Sequence, residues 1–192
     1  MRFTYSRATA ETLGEQLRPL DSAVEFFALG LHDNYLVSLG RTRYVLRAYR
    51  NQWRCEEEIL FELELLCLLH DQGVPVAHPV PSKDGSLAVA VKYPEGTRYA
   101  TLFTYAEGKP ADRDLSSRQS RLLGRTAAHL HAVSDRFEIQ HRRKHLSLEH
   151  LLDDTLDLVR PLLKHRPEDI AYLEAVRDDA VGTLGGLPTT AP

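Results

Sequence analysis

The sequence predicts an α+β fold, in which a mostly antiparallel sheet with one helix laid on it is followed by helices alone. Three observations predict it. β-prone runs crowd the first half of the chain, broken by one long apolar-striped helix. Tight-turn signals join neighbouring runs. Beyond Glu107-Gly108-Lys109-Pro110 the apolar period changes from two to about 3.6, and only helical stripes follow.

Residues 24–29, 35–39 and 44–49 are the first β-prone runs, and Gly40-Arg41-Thr42-Arg43 joins the last two in a predicted hairpin. A helix over 54–70 comes next, with Ile59, Leu60, Leu63, Leu66 and Cys67 on one face. Gly73 ends it and Pro75 prevents its continuation. Runs at 87–93 and 99–105 flank a Pro94-Glu95-Gly96-Thr97 turn, so the predicted order is β-β-β-α-β-β. The first helical stripe after the connector is Leu123, Thr126, Ala127, Leu130 and Val133. The second is Leu148, Leu151, Leu152, Thr155, Val159 and Leu162, with Ser147 as its N-cap. Ile170, Leu173, Val176 and Val181 form the third, opened by Pro167. The expected organisation is a β-rich lobe over 1–105, a connector at 106–110 and a helical lobe over 111–192.

Of the 192 residues, 43% are apolar and 27% charged, as in ordinary globular proteins. A net charge of −3 gives no electrostatic case for nucleic acid or an anionic membrane as partner. Cys55 and Cys67 stand about three turns apart on the predicted helix, too far for a disulfide. No CxxC or Cys/His metal spacing surrounds them. With no apolar core near the N-terminus and no apolar run of about 18 residues, the reading is a cytoplasmic protein without a membrane span.

A nucleotide site of the kinase type needs a strand cation to meet phosphates and a helix carboxylate to hold that cation. The run 44–49 offers Arg47, in phase with Val45 and Tyr49. The helix offers Glu62, at the margin of the apolar stripe beside Leu66, whereas Glu57 and Glu64 point elsewhere. Charges on exposed faces are the norm, and the pattern alone does not join these two.

The surrounding stretches carry a family resemblance. YVLRAYR at 44–50, Trp53, EILFELELLCLL at 58–69 and GVPVAHP at 73–79 resemble the N-terminal lobe of the aminoglycoside-phosphotransferase-like (kinase-like) phosphotransferases. The similarity is greatest to the branch of bacterial stress-response kinases and homoserine-kinase-like proteins. DNYLV at 33–37 resembles that family's first nucleotide-loop hairpin, LFTYAEG at 102–108 its inter-lobe hinge, and LGRTAAHLH at 123–131 the first helix of its C-terminal lobe. The resemblance implies a protein-kinase-like N-lobe followed by an incomplete helical C-lobe. It also implies that Arg47 stands at the phosphate-contacting lysine and Glu62 at its ion-pair partner. Asn34 falls in the nucleotide loop, and Phe103, Thr104, Tyr105 and Ala106 would face the adenine through backbone groups. The implied ligands are ATP and Mg2+, and the implied reaction moves the γ-phosphoryl group to a hydroxyl of a small molecule or of a Ser/Thr protein substrate.

Three departures qualify that reading. Arginine keeps the positive charge at 47, but its fork differs from an ammonium in reach and geometry. No GxGxxG precedes Asn34. The family's His-Gly-Asp-x-x-x-x-Asn loop is absent, and the two asparagines, Asn34 and Asn51, both precede the connector. The catalytic Asp and the Mg2+ ligands are therefore expected beyond residue 192, with GGLPTTAP at 185–192 resembling the segment just upstream. A fragment inactive alone is the expectation, with no catalytic residue and no metal ligand of its own.

Other candidates carry less. His129 and His131, two apart, do not share a helix face. His141 and His145 sit in the cationic run HRRKH, which reads as a solvated connector. Glu149, Asp153, Asp154 and Asp157 form an acidic face, either simply solvated or turned to a cationic acceptor. Ser116 and Ser117 lack the His/Asp pattern of a nucleophile. The rival function is a non-catalytic nucleotide-binding or interaction module, whose partial helical lobe would expose apolar stripes and self-associate through them.

Overall fold

Turn chemistry sets the strand pairing. The computed structural model describes residues 22–51, 53–93, 96–109, 114–138 and 140–186. The expectations placed on the N-terminus, on Pro94, Glu95 and Pro110, and on 187–192 lie outside them. The elements are β1 (Ser22–Leu29), β2 (Asp33–Leu39), β3 (Thr42–Ala48), α1 (Glu56–Asp71), β4 (Pro79–Val80), β5 (Val89–Tyr93) and β6 (Gly96–Thr104). All ladders are antiparallel, in the order β1-β2-β3-β6-β4, with β5 also on β6. The β2–β3 turn is Gly40-Arg41, and Gly40 has a φ of 59°, a left-handed conformation that a side chain would strain. Strand β4 is missing from the predicted order because two residues carry no readable period, and its Pro79 argues against a strand from sequence.

Strand β6 is the hub. One edge pairs with β3 over 100–104, and the other pairs with β5 and then with β4. One sheet face gathers Tyr35, Val37, Leu46, Ala48, Val91 and Ala100. On the other, Tyr49 and Phe103 pack against Ile59 and Leu63 of α1, with Val45 and Leu66 partly buried beside them. The helix is thus held by its apolar stripe, each buried aliphatic side chain contributing roughly 1.5–3 kcal/mol. Its N-terminus is tied where the Cys55 N–H donates to Glu58 Oε2 at 3.0 Å. Gly73, at φ 78°, turns the chain so that the Val74 N–H reaches the Leu69 carbonyl at 2.9 Å.

A buried ion pair lies within the first face. Arg98 Nη2 donates to Asp33 Oδ2 at 2.7 Å and to the Ala48 carbonyl at 3.1 Å, while Nε donates to the Tyr49 carbonyl at 2.9 Å. The two side chains are 2% and 4% exposed, and the guanidinium lies over the Tyr93 ring. One side chain of β6 thereby binds β2 across β3.

The helices that follow fall into two compact units divided between Arg142 and Arg143. In the first, α2 (Ser117–Ser134) is capped where Ser116 Oγ accepts from the Gln119 N–H at 3.3 Å. Of its predicted stripe, Val133 is buried with Leu69 and Val74, and Leu130 packs beside them, whereas Leu123 is exposed. In the second unit a π-helical turn (Glu149–Asp153) leads into α3 (Asp154–Val159), and α4 (Pro167–Leu184) follows. Ser147 Oγ accepts from the His150 N–H at 3.1 Å, the capping bond expected of it. The second stripe stops at Val159 and not at Leu162: Arg160 keeps helical dihedrals as the C-cap, but Pro161 has no N–H with which to continue the ladder. No residue of α3, α4 or the π turn is buried, and Leu158, Leu162 and Tyr172 are 76%, 72% and 68% exposed.

Breaking the buried pair leaves an uncompensated charge, so Asp33→Ala should cost about 3–5 kcal/mol in denaturant unfolding. The apolar replacement D33L/R98M should recover at least half of that loss. A cost below about 1 kcal/mol for Asp33→Ala would contradict this assignment of the pair.

Candidate functional site

Alternation along β3 sends Tyr44, Leu46 and Ala48 to one face and Val45 and Arg47 to the face covered by α1. Glu62, one residue before buried Leu63, lies at the helix edge nearest that strand. Arg47 Nη1 is 3.0 Å from Glu62 Oε1, so the structure brings together the two charges singled out from sequence. Their side chains are 31% and 26% exposed, at the rim of the core and not in open solvent. The Arg47 guanidinium also lies 4.7 Å over the Phe103 ring. Asn34 is the register partner of Arg47; its Oδ1 receives Arg47 Nε at 3.5 Å and its Nδ2 donates to the His32 carbonyl. Asn34 therefore aims the arginine rather than standing apart from it.

These groups close the inner end of a cleft of about 650 Å³, a size that suits a nucleotide or a drug-sized ligand. Val45, Leu66 and Phe103 give it an apolar lining together with Phe27 of β1, and Thr104 to Lys109 line it as well. Past the Tyr44↔Thr104 register pair the backbone leaves the ladder at Tyr105 and Ala106. Phe103 is buried in the core, Thr104 Oγ1 is 3.3 Å from His78 Nδ1, and Tyr105 lies under the Arg43 guanidinium. Arg43 in turn pairs with Glu107 at 2.6 Å, closing the outer end of the connector onto β3. All seven residues nominated from sequence thus lie on this cleft or, for Asn34, directly behind it.

Sequence reasoning missed three contributors. Arg54 reaches Glu62 Oε2 at 2.7 Å, so the carboxylate serves two guanidiniums. Phe27 was hidden because nothing in a β-prone run tells which residue will line a cleft. Arg98 had a usable signal: it is in phase with Ala100 and Leu102, as Asp33 is with Tyr35 and Val37, and opposite charges in phase with apolar positions mark a buried pair.

The flanking groups show the local electrostatics. Burial, then the positive charges of Arg47, Arg54 and Arg98, depress His32 from 6.5 to about 4. Its neutral Nδ1 accepts the Arg50 N–H at 3.3 Å. Burial, then the Glu62 carboxylate, raises the Tyr49 phenol to about 12. Among the described residues no group of three or more His, Cys, Asp or Glu is arranged to hold a metal ion. His129, His131 and His145 are exposed, whereas His141 leaves the solvated connector predicted for it, its Nδ1 3.0 Å from Glu64 Oε2. The acidic face of the second unit is answered locally: Asp153 pairs with Arg177, Asp154 with His150 and Asp157 with Arg160.

The model of a phosphotransferase enzyme family matches residues 23–184. An uncharacterized protein of Synechocystis sp. is 44% identical over 87% of this chain and 46% of its own length. Another from Deinococcus radiodurans is 34% identical over 94% of this chain and 52% of its own. The chain thus spans about half the length of the curated relatives it matches. Among solved structures, a microcompartment-associated aminopropanol kinase shares 28% identity at a TM-score of 0.63, over 77% of this chain and 47% of that one. An amicoumacin kinase in complex with AMP-PNP, Ca2+ and Ami superposes at 0.70 with 19% identity, over 97% of this chain and 55% of that one, and supports the fold. The α+β, protein-kinase-like architecture expected from sequence is therefore the one observed. No described helix is long and apolar enough to cross a membrane.

His32 also yields a pH prediction. Between pH 6.5 and about 4 the unfolded chain binds a proton that native His32 refuses, so stability falls as the pH drops through that window. In His32→Asn, whose amide oxygen can still accept the Arg50 N–H, urea unfolding should show a shallower loss between pH 7 and 4.5. An unchanged slope would contradict the burial of a neutral imidazole.

Proposed function

The chain belongs to the phosphotransferase enzyme family, and we propose that its cleft binds ATP for transfer of the γ-phosphoryl group to a hydroxyl of a small molecule. The observation that carries this reading is the Arg47–Glu62 pair at the inner end of the cleft. Arg47 meets the phosphates, Glu62 and Asn34 hold it in place, and the backbone from Phe103 to Ala106 faces the adenine. Phe103 and Val45 provide an apolar surface on which a base can lie. Arginine in this position grips phosphate oxygens bidentately, which favours tight positioning over the mobile point charge of a lysine.

The acceptor proposed is a small alcohol, because the kinase sharing 28% identity is named for aminopropanol. The chemistry belongs to the complete polypeptide. This chain has no His-Gly-Asp sequence and no asparagine after Asn51, so it lacks the usual base and metal-binding amide. The Mg2+ that accompanies ATP would take its ligands from outside the described residues, and this chain by itself binds the nucleotide without transferring phosphate. Two free cysteines agree with a cytoplasmic setting.

Calorimetric titration with ATP tests the reading. The native chain should bind, and Arg47→Ala should weaken binding by about ten- to a hundredfold, the usual loss of a hydrogen bond to a charged group. Glu62→Ala, which frees Arg47 from its tether, should weaken it in the same direction. Phosphotransfer by this chain alone, or ATP binding indifferent to Arg47, would overturn the proposal.

A further inference from the structure

Glu62 is shared in an uncommon way. Its Oε1 takes Arg47 Nη1 at 3.0 Å and its Oε2 takes Arg54 Nη1 at 2.7 Å. One carboxylate can neutralise one guanidinium, so the triad carries a surplus of one positive charge at the inner end of the cleft. A simple cation–carboxylate pair would carry none. Arg54 lies in the segment between β3 and α1 and does not line the cleft, yet its side chain is only 28% exposed. It therefore acts on the cleft through Glu62.

We propose that Arg54 is a positioning residue that tunes this site to the most highly charged phosphate chains, favouring nucleoside triphosphates over di- and monophosphates. The inference rests on the nucleotide reading above. When phosphate oxygens engage Arg47, the guanidinium divides its donors between them and Glu62, which weakens its pairing with the carboxylate. Without Arg54, that would leave a half-buried carboxylate under-paired, at a cost that opposes binding. With Arg54 in place, Glu62 stays fully paired while it still holds Arg47 toward the ligand. The surplus charge attracts each ligand in proportion to its own charge. The depression of His32, to which Arg47 and Arg54 are the first two charged contributors, reports the same positive field beside the site.

The test measures binding of inorganic tripolyphosphate, pyrophosphate, ATP, ADP and AMP to the native chain, to Arg54→Gln and to Arg54→Lys. Loss of a unit charge near the phosphates should weaken tripolyphosphate and ATP by about tenfold, pyrophosphate and ADP by less, and AMP least. Arg54→Lys, which keeps the charge, should return ATP affinity to within about threefold of native. Equal weakening of all five ligands, or none, or a lysine variant no better than glutamine, overturns the inference. Tripolyphosphate binding that depends on Arg54, in a chain that ignores ATP, would sustain the inference and sink the nucleotide reading. ATP binding that ignores Arg54 would do the reverse, and a native chain that binds none of the five would overturn both.

Discussion

Asp33 and Arg98 form an ion pair with almost no access to water, and the geometry of the first unit follows from where they meet. Asp33 opens β2 and Arg98 sits near the start of β6, with β3 between them. Any slip in either ladder would separate the charges inside a low-dielectric interior, so the pair penalises wrong registers as well as joining the right one. Arg98 also donates to the Ala48 and Tyr49 carbonyls, at the point where β3 ends and the chain departs for α1. Correct register places Asn34 opposite Arg47 and carries β6 forward to the connector beside the cleft.

The cleft inherits its polarity from that frame. Arg47 faces α1 only because Leu46 and Ala48 are committed to the opposite core, and Glu62 reaches the strand only because Ile59 and Leu63 are committed to the sheet. Each charged residue is placed by the apolar neighbours on either side of it in the chain. Glu62 then gathers two arginines, which turns a single clamp into a small cationic centre. At the other end, Arg43 stacks on Tyr105 and pairs with Glu107, tying the connector to the same hairpin that carries Arg47.

Much of this was legible in the residues. The period of two around Val45 and Arg47, and the stripe of α1 with Glu62 at its margin, singled out these two charges without joining them, which took the fold to do. Gly40 and Gly73 marked a turn and a helix end because both need a positive φ. Three things were not legible. Two-residue β4 has no period to read, and its partner in β6 is more than twenty residues away. Arg54 sits in an irregular segment, where alternation says nothing about direction. The sharing of Glu62 is a three-body fact, and pairwise spacing along a sequence cannot express it.

The second unit is the counterpart of the first. Its described helices bury no side chain, and Asp153, Asp157, Arg160 and Arg177 are tied by ion pairs at the surface, where each is worth little. The proposed nucleotide site lies in the first unit, where the cleft lining includes 103–106, the segment proposed to face the adenine. Photolabelling with 8-azido-ATP, followed by mass-spectrometric mapping, tests it most directly. The account predicts label within 101–109 or on Phe27, abolished by excess ATP. Label that maps elsewhere, or that ATP does not displace, would contradict it.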